Sequence, residues 1–135
     1  LAMIGPSPRY LDELPDYRGG FAADDVHGLL AAMDHNYLGW ASSLAPMVMA
    51  NAERPELAGE LAESFCSTDP VMARAFATAT FLGDNRRHLA AVRVPTLVMQ
   101  CTDDLIAPDF VGAYVHERIA GSRLVRLQAT GHCPH

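Results

Sequence analysis

Two acids and a histidine are the residues in this chain best able to do chemistry. Asp103 and Asp104 end an apolar run, and His132 follows the second of them by 28 positions. A carboxylate held against an imidazole fixes its tautomer and stabilises the imidazolium, so the histidine can take a proton from a hydroxyl nucleophile and later return it. An Asp-Asp turn also has a simpler use, because short acids cap turns and helix starts. His132 is followed by Cys133, Pro134 and His135, which raises the question of a metal. Adjacent side chains in an extended loop point to different sides, and a zinc site needs about four converging ligands. His27, His35, His88 and His116 show no ligand-like pairing with this group, so no metal and no cofactor is expected. Cys101 reads as an inert strand residue, and neither it nor Cys133 has a base at a spacing suited to a cysteine nucleophile.

The elements around these residues follow from pattern. Leu97, Val98 and Met99, bounded by Pro95 and by Cys101-Thr102-Asp103-Asp104, predict a buried strand that ends in carboxylates. Open parallel sheets place their sites at that end. Pro108 at a first turn and Phe110, Val111, Tyr114, Val115 and Ile119 at three-to-four spacing predict an amphipathic helix stopped by Gly121. Leu124, Val125 and Leu127 predict a second strand, with Ala129-Thr130-Gly131-His132 turning off its end. Strand, acid turn, helix, strand and histidine turn make one crossover unit, which brings both turns to the same sheet edge.

The first 83 residues have another rhythm. Leu1 to Gly5 reads as the tail of a strand, and Gly5-Pro6-Ser7-Pro8 forces the chain outward, since its prolines forbid helix. Residues 9–20 read as a loop. A helix is expected from Ala22 to about Asn36 on Val26, Leu29, Leu30 and Met33, and a second from Tyr37 to Asn51, weakened or bent by Gly39 and Pro46. A third starts at Arg54-Pro55-Glu56 with Leu57, Leu61 and Phe65 on one face. Ser67-Thr68-Asp69-Pro70 caps a fourth, with Val71, Ala75, Phe76 and Ala79 inward. Four helices without an intervening strand break the alternation and are expected to be an inserted cap. The predicted organisation is the end of a core strand at 1–8, a helical lid at 9–83 and a core βαβ unit at 84–135.

Half of the 135 residues are hydrophobic and 19% are charged, a globular and core-rich composition. The net charge of −6, with only 10 Lys and Arg, argues against nucleic acid or an anionic membrane as partner. Three cysteines without paired spacing favour a reduced, cytoplasmic setting. No apolar run approaches the roughly 18 residues that span a bilayer.

Asn36-Tyr37-Leu38-Gly39-Trp40, Phe65-Cys66-Ser67-Thr68-Asp69-Pro70, Gly5-Pro6-Ser7-Pro8 and Gly131-His132-Cys133-Pro134-His135, together with the acid turn, resemble one family over essentially the whole chain. It is the α/β-hydrolase superfamily, in the branch of the bacterial stress-response regulator RsbQ and the plant karrikin and strigolactone receptors. The resemblance implies an α/β fold: the C-terminal part of an α/β-hydrolase, with parallel strands and an inserted four-helix lid. In its motif the catalytic aspartate precedes the proline by four, which selects Asp104 and leaves Asp103 as a turn or capping group. Phe21, Trp40 and Phe81 read as lid core from their types alone; the resemblance implies that they line an apolar pocket above the triad and bind a small apolar ligand.

The family's nucleophile lies in a Gly-x-Ser-x-Gly elbow, with triad order serine, acid, histidine. No such elbow occurs here, and Ser7, Ser42, Ser43, Ser64, Ser67 and Ser122 all stand outside that context. The expectation is therefore a piece of a longer protein that carries two of three triad members, and that alone neither hydrolyses esters nor folds cooperatively. The implied activity is hydrolysis of a small apolar ester or lactone through an acyl-enzyme. The alternative is a ligand-sensing regulator of RsbQ type that contacts a protein partner through its lid.

Overall fold

The computed structural model describes residues 1–135. Three strands form one parallel sheet: β1 (Ala2–Ile4), β2 (Leu97–Asp103) and β3 (Arg123–Thr130), in the order β1-β2-β3. Ala2 stands opposite Leu97 on one side of the central strand, and Leu97 opposite Arg123 on the other. The β2–β3 register slips between Cys101 and Asp103, at the end that carries the acids. A central parallel strand is covered on both faces, and Val98, Gln100 and Cys101 are fully buried accordingly.

Helix α6 (Asp109–Arg118) is the crossover from β2 to β3. Its Val111 and Val115, with Ile119 just beyond, have at most 1% exposure, and Val115 and Ile119 meet Val98 and Leu89 in a small core under the sheet. Each such side chain, taken fully out of water, contributes about 1.5–3 kcal/mol. Pro108 is the residue before the first helical turn, with ψ 156, rather than part of it. The helix stops at Arg118, ahead of Gly121, whose φ of +71 turns the chain into β3.

Between β1 and the sheet's return lie α1 (Ala23–His35), α2 (Tyr37–Met49), α3 (Pro55–Cys66) and α4 (Pro70–Leu82), then the short α5 (Arg86–Leu89). Helices α1 and α2 form the larger core through Val26, Leu30, Met33, Trp40, Leu44 and Val48, joined by Tyr10 and by Ile106 of the acid turn. Helix α2 runs through Pro46 to Met49, although proline removes one helical donor there. Helix α3 buries no residue fully and α4 only Ala77. The inward face expected for α4 is corrected: Val71 and Phe76 are 75% and 73% exposed, and Ala77, with half-buried Ala73 and Phe81, turns inward. The helix is apolar nearly all round, so its periodicity does not select a face. Of the expected cap residues, Asp69 does the work, accepting from the Val71 and Met72 N–H groups at 3.0 Å.

The two chain passages between sheet and helices are tied together. Asn85 N–H donates to the Pro8 carbonyl at 2.8 Å. Arg86 bridges Glu13 and Asp84 at 2.6 Å each, and Arg9 pairs with Glu13.

Candidate active site

The acid turn is built by Asp104 itself. Its Oδ1 accepts from the N–H groups of Ile106 at 2.8 Å and Ala107 at 2.9 Å, closing the chain just beyond β2. Its Oδ2 stands 2.9 Å from His132 Nδ1. Capping and the contact with the imidazole were alternatives in the sequence, and one carboxylate does both with different oxygens. Asp103, expected as the turn or capping acid, is exposed, and its side chain makes no hydrogen bond; it belongs to the end of β2, and its carbonyl accepts from Gly131 N–H at 2.7 Å.

His132 sits in a loop held by the lid. Its backbone N–H donates to Val48 O, in the last turn of α2, at 2.8 Å, and Asn51 Nδ2 donates to Met49 O and Thr130 O. Helix C-termini leave carbonyls without helical partners, and here α2 lends one to the histidine loop. Gly131 permits the approach: its φ is +92, and a Cβ there would lie 2.2 Å from Met49 O. Gly5, at the end of β1, is pressed against the pair, since its Cβ would come 3.0 Å from His132 Cε1 and 3.3 Å from Asp104 Oδ2. With Nδ1 engaged by the carboxylate, Nε2 makes no hydrogen bond within the chain.

Burial pushes the Asp104 carboxyl up, yet the hydrogen bond from His132, the Ala107 and Ile106 N–H groups and the nearby imidazole outweigh it, so its pKa lies below the ordinary carboxylate value. Burial, and secondarily the Asp104 charge, raises the thiols of Cys101 and Cys133 above their usual value, which keeps both protonated. No three His, Cys, Asp or Glu side chains converge as metal ligands.

His132 and Cys133 form part of the wall of a cavity of about 610 Å³ between the acid turn and the lid helices. Fourteen of its 18 lining residues are hydrophobic, which suits a small apolar compound. Trp40 and Phe81 are on this wall, with Tyr37 stacked 5.7 Å from Trp40 and Phe65 beside it. Phe21, expected there as well, is set back behind the wall, with its ring 6.4 Å from Phe81 and 6.2 Å from Tyr10. Tyr10 and Ile106, for which the sequence offered no pattern, stand on the wall instead, together with Phe76, which was expected on the inward face of α4. Gly5 and Val48 likewise act through close approach, which becomes visible only in three dimensions.

A parallel sheet with a helical insertion, an acid turn after one strand and a histidine turn after the next together define the C-terminal part of an α/β-hydrolase fold. No family model matches the chain. The chain is 33% identical over 135 residues to a probable esterase of rice (Oryza sativa subsp. japonica), covering 99% of this chain and 49% of the relative. It is 32% identical to a strigolactone esterase of Pisum sativum, covering all of this chain and 51% of that one, and 33% identical to a karrikin insensitive 2 receptor of Petunia hybrida, covering 99% and 50%. Among solved structures, a hydrolase from Oleispira antarctica superposes with a TM-score of 0.95 at 48% identity, over 98% of this chain and 48% of that one. The chain belongs to the α/β-hydrolase superfamily, and its relatives include strigolactone esterases and karrikin insensitive 2 receptors. It spans about half the length of the curated relatives it matches. No helix is long and apolar enough to cross a membrane.

Proposed function

We propose that this chain supplies the acid and the base of a serine hydrolase acting on a small apolar ester or lactone. The observation that carries the reading is the 2.9 Å contact of His132 Nδ1 with Asp104 Oδ2 on the wall of an apolar cavity. Asp104 holds the tautomer with the proton on Nδ1, so Nε2 is the base. It takes the proton of a serine hydroxyl as that oxygen attacks the ester carbonyl, and returns it to the departing alkoxide. Water then repeats the sequence on the acyl-enzyme, releasing the acid and the free serine. The nucleophile belongs to a part of the protein outside these 135 residues, and the chain alone is inactive.

The test is labelling of the complete protein with a fluorophosphonate and identification of the modified peptide by mass spectrometry. A labelled serine outside this chain is expected, with labelling lost in His132→Ala. Turnover of a small ester should fall on the order of 10⁴-fold or more in that variant. A folded protein that takes no label overturns the reading.

A second reading is favoured by the karrikin receptor among the relatives. In it the pair and cavity serve ligand sensing, and the output is a protein contact through the lid. Ligand-dependent capture of a partner without multiple turnover would select it over hydrolysis.

A further inference from the structure

Next to the acid turn lies a polar side chain with no exposure at all, Gln100 of β2. A buried amide is unfavourable unless its groups are paired, and only half of this one is. Nε2 donates to the Ala107 carbonyl at 2.6 Å and, more weakly, to the Cys101 carbonyl at 3.3 Å, while Oε1 has no partner. The flipped amide would set Oε1 against two carbonyl oxygens, so its acceptors dictate the orientation.

Ala107 is the far end of the acid turn. Its N–H donates to Asp104 Oδ1, and its carbonyl accepts from Gln100 and no other donor. The turn is thus gripped from both sides, by the acid at its N–H groups and by the amide at its carbonyl. Helix α6 makes the room: a Cβ on Gly112 would come within 2.5 Å of Gln100 Oε1 and 2.9 Å of its Cγ. Glycine inside a helix is unfavourable relative to alanine. A buried amide, an orphan oxygen and a helix-interior glycine are three locally poor choices meeting at one point. Such coincidences collect at functional sites.

We infer that Gln100, seated on Gly112, is a positioning residue that holds the Asp104–Ala107 turn so that Oδ2 meets His132 Nδ1. The inference rests on the proposed hydrolase reading of that pair. An apolar residue of similar volume would remove the orphan Oε1 but leave the buried Ala107 carbonyl without a donor, so the amide gains little net stability and its distinct contribution is the fixed position of the turn.

The experiment is Gln100→Met in the complete protein, read three ways. These are the melting midpoint, the downfield proton resonance of the His132 Nδ1–H, assigned by its loss in Asp104→Asn, and kcat and KM for p-nitrophenyl acetate. The midpoint should stay close to that of the wild type, because an orphan Gln100 Oε1 is exchanged for an orphan Ala107 carbonyl, and the resonance should broaden or move upfield. The kcat should fall on the order of 10- to 100-fold while KM stays within about twofold. Gly112→Ala, which pushes the same amide from the helix side, should move the resonance and kcat in the same direction. A folded Gln100→Met protein with unchanged resonance and kcat overturns the inference. If that variant does not fold, Gly112→Ala decides: an altered resonance supports the role and an unaltered one overturns it. If the wild-type protein turns over no ester, the hydrolase reading fails by itself, and the resonance alone judges whether Gln100 positions the pair.

Discussion

Asp104 serves two neighbours with two oxygens, and each makes a different prediction. Oδ1 closes the turn through Ile106 and Ala107, and Oδ2 engages His132. Asn at this position keeps one acceptor and loses the charge. Asp104→Asn is therefore expected to fold, to cost about 1.5–3 kcal/mol at neutral pH, and to lose ester turnover on the order of 10⁴-fold. The pH dependence has a definite sign. The carboxyl is depressed in the folded protein, so its contribution is complete above the ordinary Asp value of about 4 and disappears as pH falls through the lower folded value. Urea unfolding at pH 7 and at pH 3 should show the gap between wild type and Asp104→Asn narrowing at the lower pH. A gap that widens on acidification would contradict the charge-stabilised turn.

At the scale of elements, the histidine loop is held by a helix of the lid as much as by its own strand. Val48 O accepts from His132 N–H, and Asn51 ties Met49 O to Thr130 O. Asn51→Ala removes two donated bonds at the surface and should cost about 1 kcal/mol, with a modest fall in turnover. Gly131→Ala meets both a left-handed φ and a Cβ placed 2.2 Å from Met49 O. It should displace the loop, so turnover per folded molecule falls well below that of Asn51→Ala, with a larger loss of stability. Measuring both quantities on both variants separates loop placement from general destabilisation. Equal turnover per folded molecule would show that α2 does not position the histidine.

Over the whole molecule, stability is distributed unevenly. Helices α1 and α2 share one core with the acid turn, and α6 is sealed against β2 by Val115 and Ile119. Helix α3 buries no residue fully, α4 buries one, and Met72 and Phe76 are left 69% and 73% exposed on the cavity wall. Segments with few buried contacts open first. Amide hydrogen exchange should find α3 and α4 exchanging faster than β2 and α6, with protection rising in α3 and α4 when an apolar ligand fills the cavity. Uniform protection across α1–α4 would instead make the four helices one rigid cap.

Much of the fold was legible in one dimension because its signals are local. The apolar run into Asp103-Asp104, the three-to-four spacing of Val111 and Val115 and the Gly131-His132 turn are each set by residues a few positions apart, and their order along the chain implies that both turns meet at one sheet edge. The choice of Asp104 over Asp103 came from a motif, since both are acids in one turn and only the slip in register and the two N–H groups beyond separate them. Phe21 and Phe81 show the limit: both are aromatics beside the lid, and which one reaches the cavity depends on how Tyr10 packs between them. The face of α4 was undecidable for a related reason, because a helix apolar all round takes its orientation from its neighbours. By itself, then, the sequence determined the elements, their order and the two residues able to share a proton. The tertiary structure decided which oxygen meets which nitrogen, and that Gly5, Val48, Gln100 and Gly112 crowd around them. Close approach between residues far apart in the chain, as Gly5 and Val48 are from His132, leaves no periodic trace in the sequence.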